Sequence, residues 1–343
     1  MSQQRVVLAH AGDAATLCAI PWLSRQAEVV TVTVDVGQGE SLLAVRERAL
    51  EAGAVRAHVL DARETFAQDV VLPALRAGAI GFDGDPHAAI LALPCVASQI
   101  ATVAAMEQAD ALAHGGRGQA AARMTRLLEA VSSIPVRPSV EVEMPAEAHA
   151  AAMAALQLDG EASAGVRATL WGRSLSVGRA LDGPLDEARF TQTRAVTRGP
   201  DTPATLDLGF VGGTPLRVNG VAMPLVELLS SLDTIAAAHG VGRIDVLVPE
   251  GAGVRREVAE APAATVLQIA MRELEALQLP WSLRTLRRRL AESYVDLLRT
   301  GDWHGLTRRS IDALADRALA DATATIRLRL FKGGVSVVGR TAS

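Results

Sequence analysis

Apolar runs and amphipathic stretches alternate through the first half of the chain. Residues 5–9 (RVVLA) and 28–34 (EVVTVTV) are short, continuous apolar runs rich in β-branched side chains, which predicts strands buried on both faces. Helical periodicity follows each of them, over 14–25 and 41–52. A strand at 55–60, helices at 66–77 and 90–107, a strand at 111–114 and a helix at 119–131 continue the alternation. This pattern predicts a doubly wound parallel α/β sheet, a fold that takes ligands at the carboxyl ends of its strands beside helix N-termini. Residues 135–145 read as irregular. The turn-like Gln157-Leu-Asp-Gly160 lies near a domain boundary, which sets the expected domains at 1–165 and 166–343. Beyond Trp171 the pattern changes to short strands at 205–210 and 215–218, with an Asn219-Gly220 turn. A long helix at 224–239, a strand at 243–248, several helices over 265–319 and a closing hairpin follow. The hairpin strands are placed at 324–331 and 335–338, joined across Gly333-Gly334, and the whole reads as an α+β domain.

Composition narrows the function classes. The chain has 343 residues, of which 49% are hydrophobic and 21% charged, enough for two packed cores and against disorder. A net charge of −4 and 3% aromatic residues argue against a nucleic-acid surface. Residues 88–106 carry no charge and are long enough to cross a membrane. They are mostly Ala, with Pro94, Ser98, Gln99 and Thr102 interspersed, so a buried helix is expected instead. No basic leader precedes the first strand, and Cys18 and Cys95 have neither a disulfide framework nor zinc spacing around them. A cytoplasmic protein without a metal centre is therefore expected. The basic run at 284–289 (RTLRRR) stands out in an acidic chain and reads as a partner-facing helix surface.

Six ordered segments carry more specific information. They are Val29-Val-Thr-Val-Thr-Val-Asp-Val-Gly-Gln-Gly-Glu40, Ala113-His-Gly115, Leu170-Trp-Gly-Arg-Ser174, His239-Gly-Val-Gly-Arg-Ile-Asp245, Glu260-Ala-Pro-Ala-Ala-Thr265 and the pair Lys332-Gly-Gly with Val337-Val-Gly-Arg340. In this order and near this spacing they resemble the argininosuccinate synthase family, and the resemblance runs from Arg5 to Arg340. It implies a nucleotide-binding domain of the pyrophosphatase-loop, adenine nucleotide alpha hydrolase-like type, followed by an α+β synthetase-like domain. It also implies a reaction: ATP with magnesium activates the citrulline ureido oxygen as an adenylate, pyrophosphate leaves, and the aspartate amine displaces AMP. Family members are usually homotetramers.

The departures from that pattern share one direction. The family's Ser-Gly-Gly-x-Asp-Thr-Ser phosphate loop reads Ala11-Gly12-Asp13-Ala14-Ala15-Thr16-Leu17 here, which removes two hydroxyl donors and the acid. It also sets Asp13 at a helix N-terminus, where the carboxylate would cap the helix and occupy the anion site. The resemblance leaves Gly12, Asp13, Thr16, Val34, His114 and Gly115 as residual nucleotide-site positions. In the family's Tyr-Pro-x-Gly-Thr-x-x-x-Arg-Pro segment, Asp85, Ala89 and Leu93 replace the tyrosine, threonine and arginine. After His114-Gly115, the Asn-Asp pair becomes Ala121-Ala122 and an arginine becomes Thr125, with Arg117 and Arg123 nearby as solvated-face or new anion-binding residues. A serine falls on Gly165 and a tyrosine on Gln268, while Ser174 and Glu260 are kept. His10, beside the loop, reads as a packing residue, and folding alone accounts for Trp171, Arg173, Asp245 and Pro262.

Polar ligand-holding groups have thus given way to Ala, Leu and Gly, and binding aspartate without partners would strand a desolvated charge. The expected function is a homologue that has lost the parent ligation and serves a binding, scaffold or modified-substrate role, with no cofactor. The alternative is an active AMP-forming C–N ligase on altered amino acids, which would need ATP and magnesium. Family members continue past Val-Val-Gly-Arg into a C-terminal arm, whereas this chain ends at Ser343. A homodimer, or a hetero-oligomer with a related ligase, is therefore the expected assembly, with a small-molecule ligand possible in either case and neither nucleic acid nor membrane as a partner.

Overall fold

A computed structural model describes residues 4–39, 41–81, 84–158, 168–178, 181–250 and 253–342. The chain forms two compact units that interleave in sequence: 1–63 with 92–166 and 297–305, and 64–91 with 167–296 and 306–343.

The first unit is built on a parallel sheet. Strand β1 (Arg5–Ala9) leads through helix α1 (Ala14–Leu23) to β2 (Glu28–Asp35), and through α2 (Leu42–Glu51) to β3 (Arg56–Asp61). The apolar runs of β1 and β2 are buried almost end to end, because helices cover both faces of the sheet. The chain passes through α3 (Arg63–Phe66), a π turn (Ala67–Val71), α4 (Leu72–Arg76) and α5 (Ala88–Leu91) before returning. Then α6 (Leu93–Met106) delivers β4 (Ala111–Ala113) to the other side of β1. The strand order is therefore β3-β2-β1-β4, and the topological switch lies between β1 and β4. Helix α7 (Gly118–Val131) packs on α6, and α8 (Val140–Glu143) and α9 (Ala146–Ala155) pack on α1.

Two of the expected helices are interrupted. The one at 66–77 contains the π turn, and the one at 90–107 breaks at Ala92, since Pro94 favours the first turn of a new helix over the interior of a continuous one. Among the described residues no helix is long and apolar enough to cross a membrane. The stretch expected to be irregular holds the short α8, and α9 is an Ala-rich helix with no strong amphipathic signal to announce it.

The second unit holds two antiparallel sheets. One has the order β10-β11-β6-β5, from β5 (Ala168–Thr169), β6 (Gly172–Gly178), β10 (Arg243–Glu250) and β11 (Gly253–Glu260). The other runs β13-β12-β7-β8-β9, from β7 (Ala204–Val211), β8 (Thr214–Val218), β9 (Val221–Ala222), β12 (Ala324–Phe331) and β13 (Gly334–Ala342). Asn219 and Gly220 both take positive φ between β8 and β9, as that turn demands. At the closing hairpin the two left-handed residues are Lys332 and Gly333 rather than the glycine pair, and β13 begins at Gly334. Helices α10 (Leu225–Ala238) and α11 (Pro262–Gln278) pack on each other and bury Leu228, Leu232, Val266, Leu267 and Leu274, followed by α12 (Trp281–Thr300) and α13 (Leu306–Leu319). Strands β6 and β11 escape the sequence reading because their mixed polar residues, Arg173, Ser174, Arg255, Arg256 and Glu257, hide any alternation.

Candidate functional site

The loops after β1 and β4 meet at the topological switch, where doubly wound sheets place ligands. Gly12 takes φ +80°, and Asp13 follows in extended backbone as the N-cap of α1. The Asp13 Oδ1 accepts the Thr16 backbone N–H at 2.7 Å and the Thr16 hydroxyl at 2.6 Å. With its proton given to Asp13, the Thr16 Oγ1 accepts from the His10 Nδ1 at 2.9 Å, which fixes the proton of a neutral His10 on Nδ1. Burial holds His10 down to about 4, against the pull of Asp13 and with the help of Arg48, so the ring is neutral at pH 7. From β4, Gly115 presses on this cluster: a Cβ there would lie 2.6 Å from the Thr16 Cγ2. Only a glycine lets the two loops approach this closely without a shift.

His114 faces a different partner. Its Nδ1 accepts the Gly116 backbone N–H at 3.2 Å, so its Nε2 carries the proton and donates to the Thr125 hydroxyl at 3.0 Å. Burial lowers this histidine to about 4 as well. Of the other positions on α7, Ala121 is half-buried beneath Gly116, Ala122 is exposed, and Arg117 pairs with Glu141. Arg123 donates to the Arg299 carbonyl at 2.8 Å and so closes the end of a helix rather than facing an anion. At the end of β2 the Val34 carbonyl accepts from the Gln38 carboxamide, whose Oε1 accepts the Val36 N–H, both at 2.7 Å. Gln38, inside the second-strand motif, thus closes the turn after β2, a role its place in the sequence does not announce.

In the second unit, Glu260 is fully buried and opposite Arg173 in the β6–β11 register. Its Oε2 accepts from Arg173 Nη1 and the Thr191 N–H, both at 3.1 Å. Its Oε1 accepts from the Gln192 N–H (3.0 Å), the Thr193 N–H (2.7 Å) and the Thr193 hydroxyl (2.7 Å). Arg243 extends the network to Thr193 and Glu187 and stacks on Phe190 at 3.9 Å. Nothing in the loop 191–193 signals this role in one dimension. Ser174 is buried next to this pair on β6. Asp85 accepts the His87 N–H at 2.7 Å and pairs with its imidazole at 3.2 Å, holding His87 at φ +54°. The buried Trp171 donates from its indole to the Pro86 carbonyl at 3.0 Å, so its role is to fix this loop. The Gln268 carboxamide lies where a Gly81 side chain would have to be. The backbone at Ala89 is helical and its side chain lies outside the described residues, as does Gly165.

A parallel sheet with a capped loop at its switch point, continued by an antiparallel α+β region, defines a HUP-class α/β protein with an appended second domain. Family comparison agrees: the arginosuccinate synthase N-terminal HUP domain matches residues 5–154, and the arginosuccinate synthase C-terminal domain matches 166–343. The chain belongs to the argininosuccinate synthase family. It is similar to argininosuccinate synthase of Synechococcus elongatus (34% identical over 98% of this chain and 88% of the relative). It is also similar to those of Symbiobacterium thermophilum (35%, 99% and 88%) and Acaryochloris marina (34%, 98% and 88%).

Proposed function

We propose that this chain is a diverged member of the family that no longer joins citrulline to aspartate and acts instead as a cytoplasmic binding or scaffold protein. Its assembly is a homodimer or a hetero-oligomer with a related ligase. The observation that supports this most directly is the Asp13 carboxylate on the first turn of α1, bonded to both the N–H and the hydroxyl of Thr16. A helix N-terminus binds phosphate through those same donors and its positive dipole end, and here an internal anion has taken them. Ala11 and Leu17 offer no side-chain donor, and Ala15 offers no side-chain oxygen to magnesium. These residues do not fit a magnesium triphosphate, so no step is assigned to one and no cofactor is expected.

The amino-acid positions support the same reading. Glu260 already accepts five hydrogen bonds from its own chain, which leaves little for a substrate ammonium or ureido group. Ala121 and Ala122 carry no polar group to grip one. The test is incubation of the purified chain with citrulline, aspartate and MgATP, followed by chromatography for AMP and argininosuccinate. Neither product should accumulate. Steady release of both would overturn the proposal and show that the parent ligation persists, whereas AMP release with other amino acids in place of citrulline and aspartate would favour the ligase on altered substrates.

A further inference from the structure

Away from these loops, the end of α11, the start of α12 and the end of α13 enclose an open groove of about 550 Å³. Its walls are mainly apolar, from Leu279, Pro280, Leu283, Leu314 and Ala318, with Arg317 and Asp321 as its charged members. Large apolar side chains stand exposed beside it, with Trp281 at 67% and Leu277 at 40%. An exposed tryptophan next to an apolar groove is the usual mark of a docking surface, since burying its ring is worth several times the burial of a methyl group.

Charge on α12 indicates what docks. Arg287 faces inward, is 3% exposed, and is paired with Glu275 at 2.6 Å. Arg284 and Arg288 share a helix line with Trp281, at spacings of three and seven residues, and Arg284 lies over the Trp281 ring at 5.1 Å. Neither of them, nor Arg317, forms an ion pair among the described residues; Arg288 and Arg317 stand exposed, and Arg284 is half-buried with its Nε enclosed, so the inward charge of Arg287 is neutralised and these three are not. The chain as a whole is acidic, at −4, which makes this local excess of cations a specific feature. An open apolar groove also suits a helix better than a small molecule, which needs enclosure. We infer that this groove binds an amphipathic helical segment of a partner protein. The segment's apolar face enters between α12 and α13, and its acidic flank meets Arg284, Arg288 and Arg317.

The probe is a fluorescein-labelled synthetic helix of about 18 residues, with Leu at helical spacing and Glu on both flanks, titrated against the whole chain by anisotropy. An isomer with Lys in place of Glu is the control. The Glu-flanked peptide should bind, weaken as salt rises, and lose about tenfold or more in affinity against either Trp281→Ala or the double variant Arg284→Glu/Arg288→Glu. The Lys-flanked isomer should bind at least about tenfold more weakly. Trp281 and Arg288 are exposed and Arg284 is half-buried, and unchanged melting of each variant shows that the fold persists. Equal affinity for the two peptides, no response to either variant, or no binding at millimolar peptide overturns the inference. So does self-association of the chain that Trp281→Ala abolishes, which would make a second copy the occupant.

Discussion

Replacing Asp13 by Asn tests the loop chemistry with the smallest possible change. Asparagine keeps an Oδ1 that accepts the Thr16 N–H, so the α1 cap survives and only the negative charge is removed. A carboxylate ~4 Å from a phosphate oxygen costs on the order of 4 kcal/mol at an effective dielectric of about 20. That is roughly a thousandfold in Kd. Calorimetric titration of the native chain with MgATP, and separately with pyrophosphate, should give no heat up to millimolar ligand. Asp13→Asn should bring pyrophosphate binding into the measurable range, with the melting temperature shifted by only a few degrees because the cap is kept. Asp13→Ala, by contrast, removes the cap and should cost about 1 kcal/mol of stability. Two results would refute the reasoning. One is micromolar binding of MgATP to the native chain. The other is a flat titration for both Asp13→Asn and the Asp13→Gly/Ala15→Asp double variant, which would mean that Asp13 is not what excludes phosphate.

Three further outcomes follow from the same geometry. His10 and His114 titrate near 4 in the fold because burial disfavours their charged forms, against about 6.5 when unfolded. Unfolding therefore takes up protons, and the stability these two rings contribute is present above about 6.5 and is lost as pH falls toward 4. Urea unfolding across that window should show the decline, and His10→Phe should flatten it by its share; an unchanged slope would contradict the assignment. Glu260→Ala would leave five donors facing an empty, buried space, at a cost of several kcal/mol. Its soluble yield and urea midpoint should fall far below those of Ser174→Ala, and equal stability would show that the Glu260 network is not structural. Gly115→Ala brings a methyl to 2.6 Å from the Thr16 Cγ2, and should destabilise by roughly 1–3 kcal/mol in chemical denaturation. A neutral effect would mean that the two loops separate freely.

Much of the fold was legible in one dimension. The runs of β1 and β2 needed no tertiary information, because a strand buried on both faces has no polar positions to disguise it. The helix start at Ala14 was legible for a similar reason: Asp13 caps locally, three residues from the N–H it accepts. Strands β6 and β11 were not legible, because Arg173 and Arg256 find their partners, Glu260 and Asp245, across the sheet, and such pairing is a property of register. The π turn at Ala67–Val71 was hidden, since the apolar pattern runs through it, whereas the break at Ala92 has a local cause in Pro94 that the apolar pattern masked.

The site divides along the same line. The sequence alone determined that a carboxylate stands where a phosphate loop would hold donors, and that Ala121 and Ala122 carry no polar group, because chemical identity is local. What only the tertiary structure decided is who satisfies whom. It brought the His10 imidazole onto the Thr16 hydroxyl, laid Gly115 of the β4 loop against Thr16, and surrounded Glu260 with the loop 191–193. A retained glutamate reads the same in a string of letters whether its oxygens await a ligand or are already filled. Hydrogen bonds between residues some 70 positions apart are set by the packing of strands, and no local pattern carries that information.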